Sequence, residues 1–418
     1  MKFLVLGGGN CQLNLIKKIK SLGHTVIVSD YYDDAPGKAL CDIKSLTSTF
    51  DIEANISLAK KYNIDAVVTA GTDQPVFTAA KVAKATKIPF ALSVSGARNV
   101  TNKKYMKELF VDNNIPTNEF VVIDETFNLD QISHLRTPLV IKPLDSQGQR
   151  GVLKLDSYDD IKKNFSNVLS FSRVNEILVE EYYPSDEITV SGWVCNGTPY
   201  ILTVTDRVTY CNYPNIGICT AHNFPSKYFK RYNEEILSIS NKIVKSFKIE
   251  NGPIYFQMLI GNEGIKVNEI ACRLGGAYED ISIPYLTGID ILQLLIDSSL
   301  GKTINEDKLK KYSLDNNLKL SSVQLLFSDS GTVSYITKSE SINKLPGVID
   351  CNYSISEGSK IEPITNATQR IGYAVISGES PSDLNTKIKN VFDNIKILDN
   401  KNKNLIINFN NYSTNYYK

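Results

Sequence analysis

Along the first hundred residues, short apolar runs alternate with amphipathic stretches. The runs Phe3–Leu6, Val26–Ser29 and Ala66–Thr69 have strand length, while Gln12–Leu22, Ile52–Lys61 and Val76–Ala85 repeat their apolar positions at helical spacing. Strands of this kind between covering helices predict a parallel, doubly wound α/β domain. Beyond it the pattern becomes that of an α+β chain. One helix is predicted over 99–114, capped at Thr101 or Asn102 and stopped before Ile115-Pro116. Strands follow at Phe120–Ile123, Pro138–Ile141 and Val152–Leu155, and the run Ile177–Val190 reads as a strand, a turn and a second strand opening at Glu187. Tyr200–Thr205 continues an antiparallel sheet, Tyr232–Phe247 is helical, and Ile254–Ile260 with Ile265–Ile270 form a hairpin around Gly261-Asn262-Glu263-Gly264. After a helix over Ile289–Leu300 comes a Lys/Asp/Asn-rich connector, Lys302–Leu318. A smaller unit has strands near Leu320–Phe327, Val348–Asp350 and Ile371–Ser377, a helix over Ser380–Ile395, and a last edge strand at Leu405-Ile406-Ile407 before a frayed tail.

Length and composition narrow this picture. A chain of 418 residues is too long for one ordinary core, so two to four domains are expected. The 46 basic and 45 acidic residues nearly cancel, which removes any global electrostatic reason for a nucleic-acid or anionic-membrane partner. No apolar run approaches the roughly 18 residues that span a bilayer, and Met1-Lys2 leads straight into a strand, so a cytoplasmic protein is expected. Seven cysteines without C-x-x-C spacing indicate neither a disulfide framework nor a zinc site, and the three histidines lie in unrelated stretches.

Several stretches carry candidate chemistry. The hairpin places Gln257 and Glu269 on adjoining strands and ends in Arg273 before a Gly-Gly turn. Two oxygen ligands beside an arginine suit a metal-bound phosphate, although a surface hairpin with ordinary polar faces has the same pattern. Lys142 closes a buried strand and needs an anion. The loop after it, Leu144–Gly151, is small and polar and ends at Arg150, suiting backbone amides folded over a polyphosphate. Glu180, Glu181 and Glu187 stand at two strand ends where adenine and ribose could be read, or on a solvated hairpin. Gly7-Gly8-Gly9-Asn10 and Asp30 form a partial dinucleotide fingerprint with Gln12 where the third glycine belongs; a helix N-terminus near a small anion, or a plain tight turn, fits better. Ala70–Gln74 ends the third strand at the same sheet edge, as a ligand loop or a capped turn. His222 is expected in a loop, Cys272 as a buried inert thiol and Trp193 in the core. Arg207 and Arg370 could grip a substrate or anchor loops.

Taken in order, Lys103, Val140-Ile141-Lys142-Pro143, the glycine loop, Val179–Tyr182 with Glu187, Phe256-Gln257 and Glu269–Arg273 resemble the ATP-grasp superfamily. The pattern is closest to the branch of biotin carboxylase, carbamoyl-phosphate synthase, the formylating purine enzymes and the L-amino-acid ligases. The resemblance implies an N-terminal α/β domain (1–97), a central ATP-grasp domain (98–301) with a lid at about 115–185, a small C-terminal α/β domain (302–400) and a tail (401–418). It implies that Lys103 and Lys142 contact the nucleotide phosphates and that Ser146, Gln147 and Gly148 belong to a loop closing over them. It gives Glu180 the adenine amino group, the backbone of Glu181, Tyr182 and Tyr183 the adenine edge, and Glu187 the ribose. Gln257 and Glu269 would hold Mg2+, with Mn2+ as a substitute, and Arg273, Lys142 and Arg150 would be the catalytic cations. The chain departs from the family at Ala271, where an asparagine usually ligates a second magnesium, and at Ala277, where biotin carboxylase has a glutamate base. The implied activity is an ADP-forming carboxylate-amine ligase working through an acyl-phosphate on small-molecule substrates, in a homodimer. A purine-pathway phosphoribosyl-amine ligase or formyltransferase, and a nucleotide-binding module with impaired catalysis, are the alternatives.

Overall fold

A computed structural model describes residues 1–409. The first sheet is fully parallel, in the order Ile43–Ser45, Thr25–Ser29, Lys2–Leu6, Ala66–Val68. The helices Leu13–Ser21, Ile52–Tyr62 and Gln74–Thr86 accompany it. Local chemistry sets their ends. Asp51 accepts from the Ala54 amide to start the second helix, and Asn63 stops it in the left-handed region at φ 48°. The first strand turns at Gly7, whose φ of 98° is a conformation glycine takes without strain.

Among the described residues a second, antiparallel sheet of thirteen strands runs through the rest of the chain. One edge is the hairpin Gly252–Gly261 and Gly264–Ala271. Next lie Ser185–Cys195, Thr198–Asn212 and Asn215–Phe224, then Leu153–Leu155, Leu139–Pro143, Glu176–Glu181 and Phe120–Asp124. Asn215–Phe224 is the junction. It pairs with Thr198–Asn212 and Leu153–Leu155, and also with Leu320–Ser328, which brings in Gly372–Gly378 and Val348–Tyr353 from the C-terminal region. The apolar core follows these layers: Trp193 is fully buried with Leu202, Ile283 and the inner faces of the first sheet, and Phe256 packs with Phe110 and Ile243.

Three expectations change. The single helix over 99–114 is two, Val94–Thr101 and Lys103–Asp112, broken at Asn102. Asn102 is extended and its side chain accepts from the Lys104 amide, because asparagine caps a helix better than it continues one. That break starts the second helix at Lys103, whose amide donates to Leu144 O at 2.9 Å and whose side chain is buried. His222 lies in the strand Asn215–Phe224 and not in a loop, paired across the ladders with Arg207 and Val323. The connector after 301 contains a short helix, Asp307–Lys311. The last edge strand is Ile406–Ile407; the expected tail lies outside the described residues beyond position 409. Among the described residues no single helix is long and apolar enough to cross a membrane.

The break at Asn102 is testable. Asn102→Ala removes the cap and is expected to cost about 1 kcal/mol, seen as a lower melting temperature, whereas Asn102→Asp keeps the acceptor and should melt near wild type.

Candidate active site

The first sheet's carboxyl edge, the hairpin and the C-terminal unit face one another across a cavity of about 710 Å3. From the first sheet come Gly9–Gln12 and Gly71–Asp73; the Gln12 side chain donates through Nε2 to Ala70 O and ties these two loops together. Gly71 N donates to Leu274 O at 3.0 Å, and a Cβ on Gly276 would lie 2.7 Å from Gly71 O, so the Gly-Gly turn is what allows the hairpin's end to reach this loop. Glu279 fixes the turn, accepting from Gly275 N at 2.6 Å and from the Ser191 hydroxyl.

Arg273 crosses to the first sheet. Its Nε and Nη2 lie 2.7 and 2.6 Å from Asp73 Oδ1. Burial raises the Asp73 carboxyl, and Arg273 offsets part of that rise. On the hairpin Gln257 and Glu269 are register partners. Glu269 Oε1 is 2.6 Å from Lys103 Nζ; burial works against the charged carboxylate, but Lys103 and Lys142 outweigh it and hold its pKa below the ordinary value. Lys142 Nζ lies 2.5 Å from Glu180 Oε1 and donates to Asn268 Oδ1 at 3.1 Å. The glycine loop bridges the cavity's two sides: Gln147 Oε1 accepts from Asp73 N at 2.6 Å, and Gly148 O accepts from Ala367 N at 3.0 Å. Arg150 donates to Gln147 O at 3.2 Å.

The structure therefore brings Lys103, Lys142, Ser146, Gln147, Gly148, Arg150, Gln257, Glu269 and Arg273 around one cavity. It does not bring the expected adenine and ribose side chains to its walls. Glu180, expected to accept from the adenine amino group, lies between two ammonium groups: Lys107 Nζ is 2.9 Å from Oε2, opposite Lys142 on Oε1. Burial would raise the Glu180 carboxyl, yet the two ammonium groups hold it down to about 2, while burial lowers Lys107 to about 8 despite Glu180. Glu181 pairs with Arg136 at 2.7 Å, Tyr182 lies under Lys154, and the Tyr183 hydroxyl donates to Gly264 O. Glu187 pairs with Arg207 at 2.5 Å, so Arg207 is anchored by a carboxylate. Arg370 does face the cavity, with Nη2 2.9 Å from Cys11 Sγ and its guanidinium over the Tyr278 ring. His222 lines the same space as a neutral imidazole, since burial, Arg207 and Arg370 lower its pKa to about 3.

Sequence reasoning gave Lys107, Asn268 and Glu279 no role in the site and did not give Asp73 its partner. For Lys107 a signal existed: it stands four residues after Lys103, on the same helix face.

The family comparisons meet this geometry. The sequence model of the ATP-grasp domain matches residues 135–280, and that of L-amino acid ligase C-terminal domain 2 matches residues 324–398. An ATP-grasp domain thus spans residues 135–280. Among curated proteins the chain is 22% identical over 406 residues to the formate-dependent phosphoribosylglycinamide formyltransferase of Chlorobaculum tepidum, covering 91% of the chain and 93% of that protein. It is 23% identical over 332 residues to the trifunctional purine biosynthetic protein adenosine-3 of Chironomus tentans, covering 76% of the chain and only 24% of that protein. With the Synechocystis sp. formyltransferase the match covers 49% of the relative, so the chain spans a quarter to a half of these two curated relatives. Among solved structures the L-amino acid ligase of Bacillus licheniformis superposes with a TM-score of 0.80 at 19% identity, covering 95% of this chain and 98% of that one. Phosphoribosylglycinamide synthetase from Anaerococcus prevotii gives 0.75 at 18%, covering 95% and 99%. The biotin carboxylase domain dimer of Hydrogenobacter thermophilus 2-oxoglutarate carboxylase, crystallised with MgADP and bicarbonate, gives 0.74 at 14%, covering 95% and 90%. These likenesses establish the ATP-grasp fold: a parallel α/β sheet at the N-terminus against a large antiparallel sheet.

The Lys107–Glu180–Lys142 cluster predicts an acid limb. The folded-state pKa of Glu180 lies below its usual 4.5, so its stabilisation is present above about pH 4.5 and is lost as pH falls toward 2. Denaturant unfolding should lose on the order of 3 kcal/mol across that window. Glu180→Gln should be less stable at neutral pH and flatter below about pH 4.5; an unchanged acid slope would contradict this assignment.

Proposed function

We propose that the protein is an ADP-forming, ATP-dependent carboxylate-amine ligase. The observation that carries this reading is the convergence of Lys103, Lys142, Arg150 and Arg273 with the oxygen donors Gln257 and Glu269 on one cavity, beside the ligand edge of a parallel sheet. The cavity's volume is within the range that holds a small-molecule ligand. In this reading 98–301 is the nucleotide unit with its lid at about 115–185, 1–97 and 302–400 complete the substrate side, and the cofactors are ATP and Mg2+, with Mn2+ able to substitute. The residues fit the metal: Gln257 Oε1 is buried without a hydrogen-bond partner and lies opposite Glu269. Bound magnesium would supply charge neutralisation at the phosphates.

The chain's own residues supply the remaining requirements. Lys103, Lys142 and Arg150 offset charge on the transferring phosphoryl group as a carboxylate oxygen attacks it. Arg273 is aimed by Asp73 and by the turn that Glu279 fixes, and it stabilises the acyl-phosphate. The loop 146–151, bonded to both walls, keeps water from that mixed anhydride until an amine attacks. Adenine would then lie against the backbone of Glu181–Tyr183, with Glu187 near the ribose. Small-molecule substrates, a homodimer and a cytoplasmic setting belong to the same reading.

A second reading, a purine-pathway phosphoribosyl-amine ligase or formyltransferase, draws support from the Chlorobaculum tepidum alignment along nine-tenths of the chain. At the N-terminal glycine loop, however, the Gly8 amide already donates to Asp30 at 2.8 Å. A thermal-shift screen of amino acids against phosphoribosyl amines separates the two. Ala271 motivates a third reading, a nucleotide-binding module with impaired catalysis; turnover by the unmodified chain would remove it.

ADP should be released only when a carboxylate and an amine are both supplied, and steady formation of AMP would contradict the proposal. Arg273→Ala should lower kcat about 100-fold or more in the same assay while ATP still binds.

A further inference from the structure

The ladder of the Gly252–Gly261/Gly264–Ala271 hairpin slips by one residue beside the cavity. Gln257 faces Glu269, but the next pair is Met258 with Val267, so Asn268 has no counterpart across the strands. An extra residue of this kind bends the strand and re-aims its side chains. Val267 and Ile270 keep their places in the apolar core, whereas Asn268 and Glu269, adjacent in sequence, both line the cavity. A regular strand would have sent one of them to the opposite face.

Asn268 Oδ1 is contacted by Lys142 at 3.1 Å, as Glu269 Oε1 is by Lys103 at 2.6 Å. Across the ladder Gln257 is only 8% exposed, lines the cavity, and leaves Oε1 without a hydrogen-bond partner. A buried, unpartnered amide oxygen is costly unless something else completes it. One carboxylate and two amides form a hard oxygen set suited to a divalent cation that brings phosphate and water as its other ligands. Ala271 has no donor to offer that cation. Among the described residues no group of three or more His, Cys, Asp or Glu forms a metal cluster, so the protein alone provides little affinity for a free ion.

We infer that Asn268, delivered by the bulge, supplies the amide oxygen that Ala271 lacks and completes, with Gln257 and Glu269, the protein's share of a site for a nucleotide-bound divalent cation. Lys103 and Lys142 hold two of these oxygens and exchange them for phosphate oxygens when metal and nucleotide enter together. Each lysine then keeps an anionic partner and each side-chain oxygen keeps a cation, so the exchange leaves no buried charge unpaired. The inference rests on the nucleotide-binding reading above.

Mn2+ and ADP are the probes, with bound Mn2+ read by electron paramagnetic resonance and ADP affinity by calorimetry. Wild type should bind Mn2+ tightly only with ADP present. Asn268→Ala should weaken Mn2+ in the ternary complex by on the order of tenfold, with metal-free ADP affinity and melting temperature close to wild type. Asn268→Asp, which keeps an oxygen in place, should bind Mn2+ at least as well as wild type. Undiminished Mn2+ affinity in Asn268→Ala with ADP still bound would overturn the inference alone, as would equal weakening in Asn268→Asp. Failure of the wild-type chain to bind ADP at all would overturn the nucleotide-binding reading as well.

Discussion

The ion pair between Arg273 and Asp73 joins the two halves of the site. It connects the end of the antiparallel hairpin to the ligand edge of the parallel sheet, 200 residues away in sequence. Everything around it serves that crossing: the Gly-Gly turn admits the close approach, Glu279 fixes the turn, and Gln147 binds the amide of Asp73 itself. A planar guanidinium held on one carboxylate is oriented before any substrate arrives, so little ordering remains for the reaction to impose.

The same logic governs the other buried cations. A lysine in an apolar surround loses its charge unless an anion stands beside it, and Lys107 shows the tendency, since burial alone outweighs its share of Glu180. Lys103 is held charged by Glu269, and Lys142 shares Glu180 with Lys107. The cavity is thus lined by cations whose counter-charges are already folded into its walls. On the proposed function, polyphosphate and metal would redistribute these pairs and leave no buried charge unpaired. Arg370 differs, resting on a thiol and a tyrosine ring instead of a carboxylate.

Much of this was legible in the chain. Alternating apolar runs gave the parallel sheet, and the hairpin pattern put Gln257 and Glu269 on adjoining strands, where the structure makes them register partners. Local spacing worked because both facts depend on residues within a few positions of each other. What stayed hidden depends on distant partners or on a local irregularity. Glu180 reads as a free acceptor at a strand end until Lys107 folds over it, a contact between segments 73 residues apart. Asn268 reads as a residue pointing away from Glu269 until the bulge turns it round. The break at Asn102 was half visible, since the cap was recognised but assigned to the start of one long helix instead of the junction of two.

The central claim is that this cavity transfers a phosphoryl group from ATP to a carboxylate oxygen. The most direct measurement supplies the chain with ATP, amine and a carboxylate labelled with 18O in both oxygens, and reads the released phosphate by mass spectrometry. One 18O should appear in each phosphate, because the attacking carboxylate oxygen leaves with it when the amine displaces the acyl-phosphate. Amide formation accompanied by unlabelled phosphate, or by AMP carrying the label, would contradict the claim.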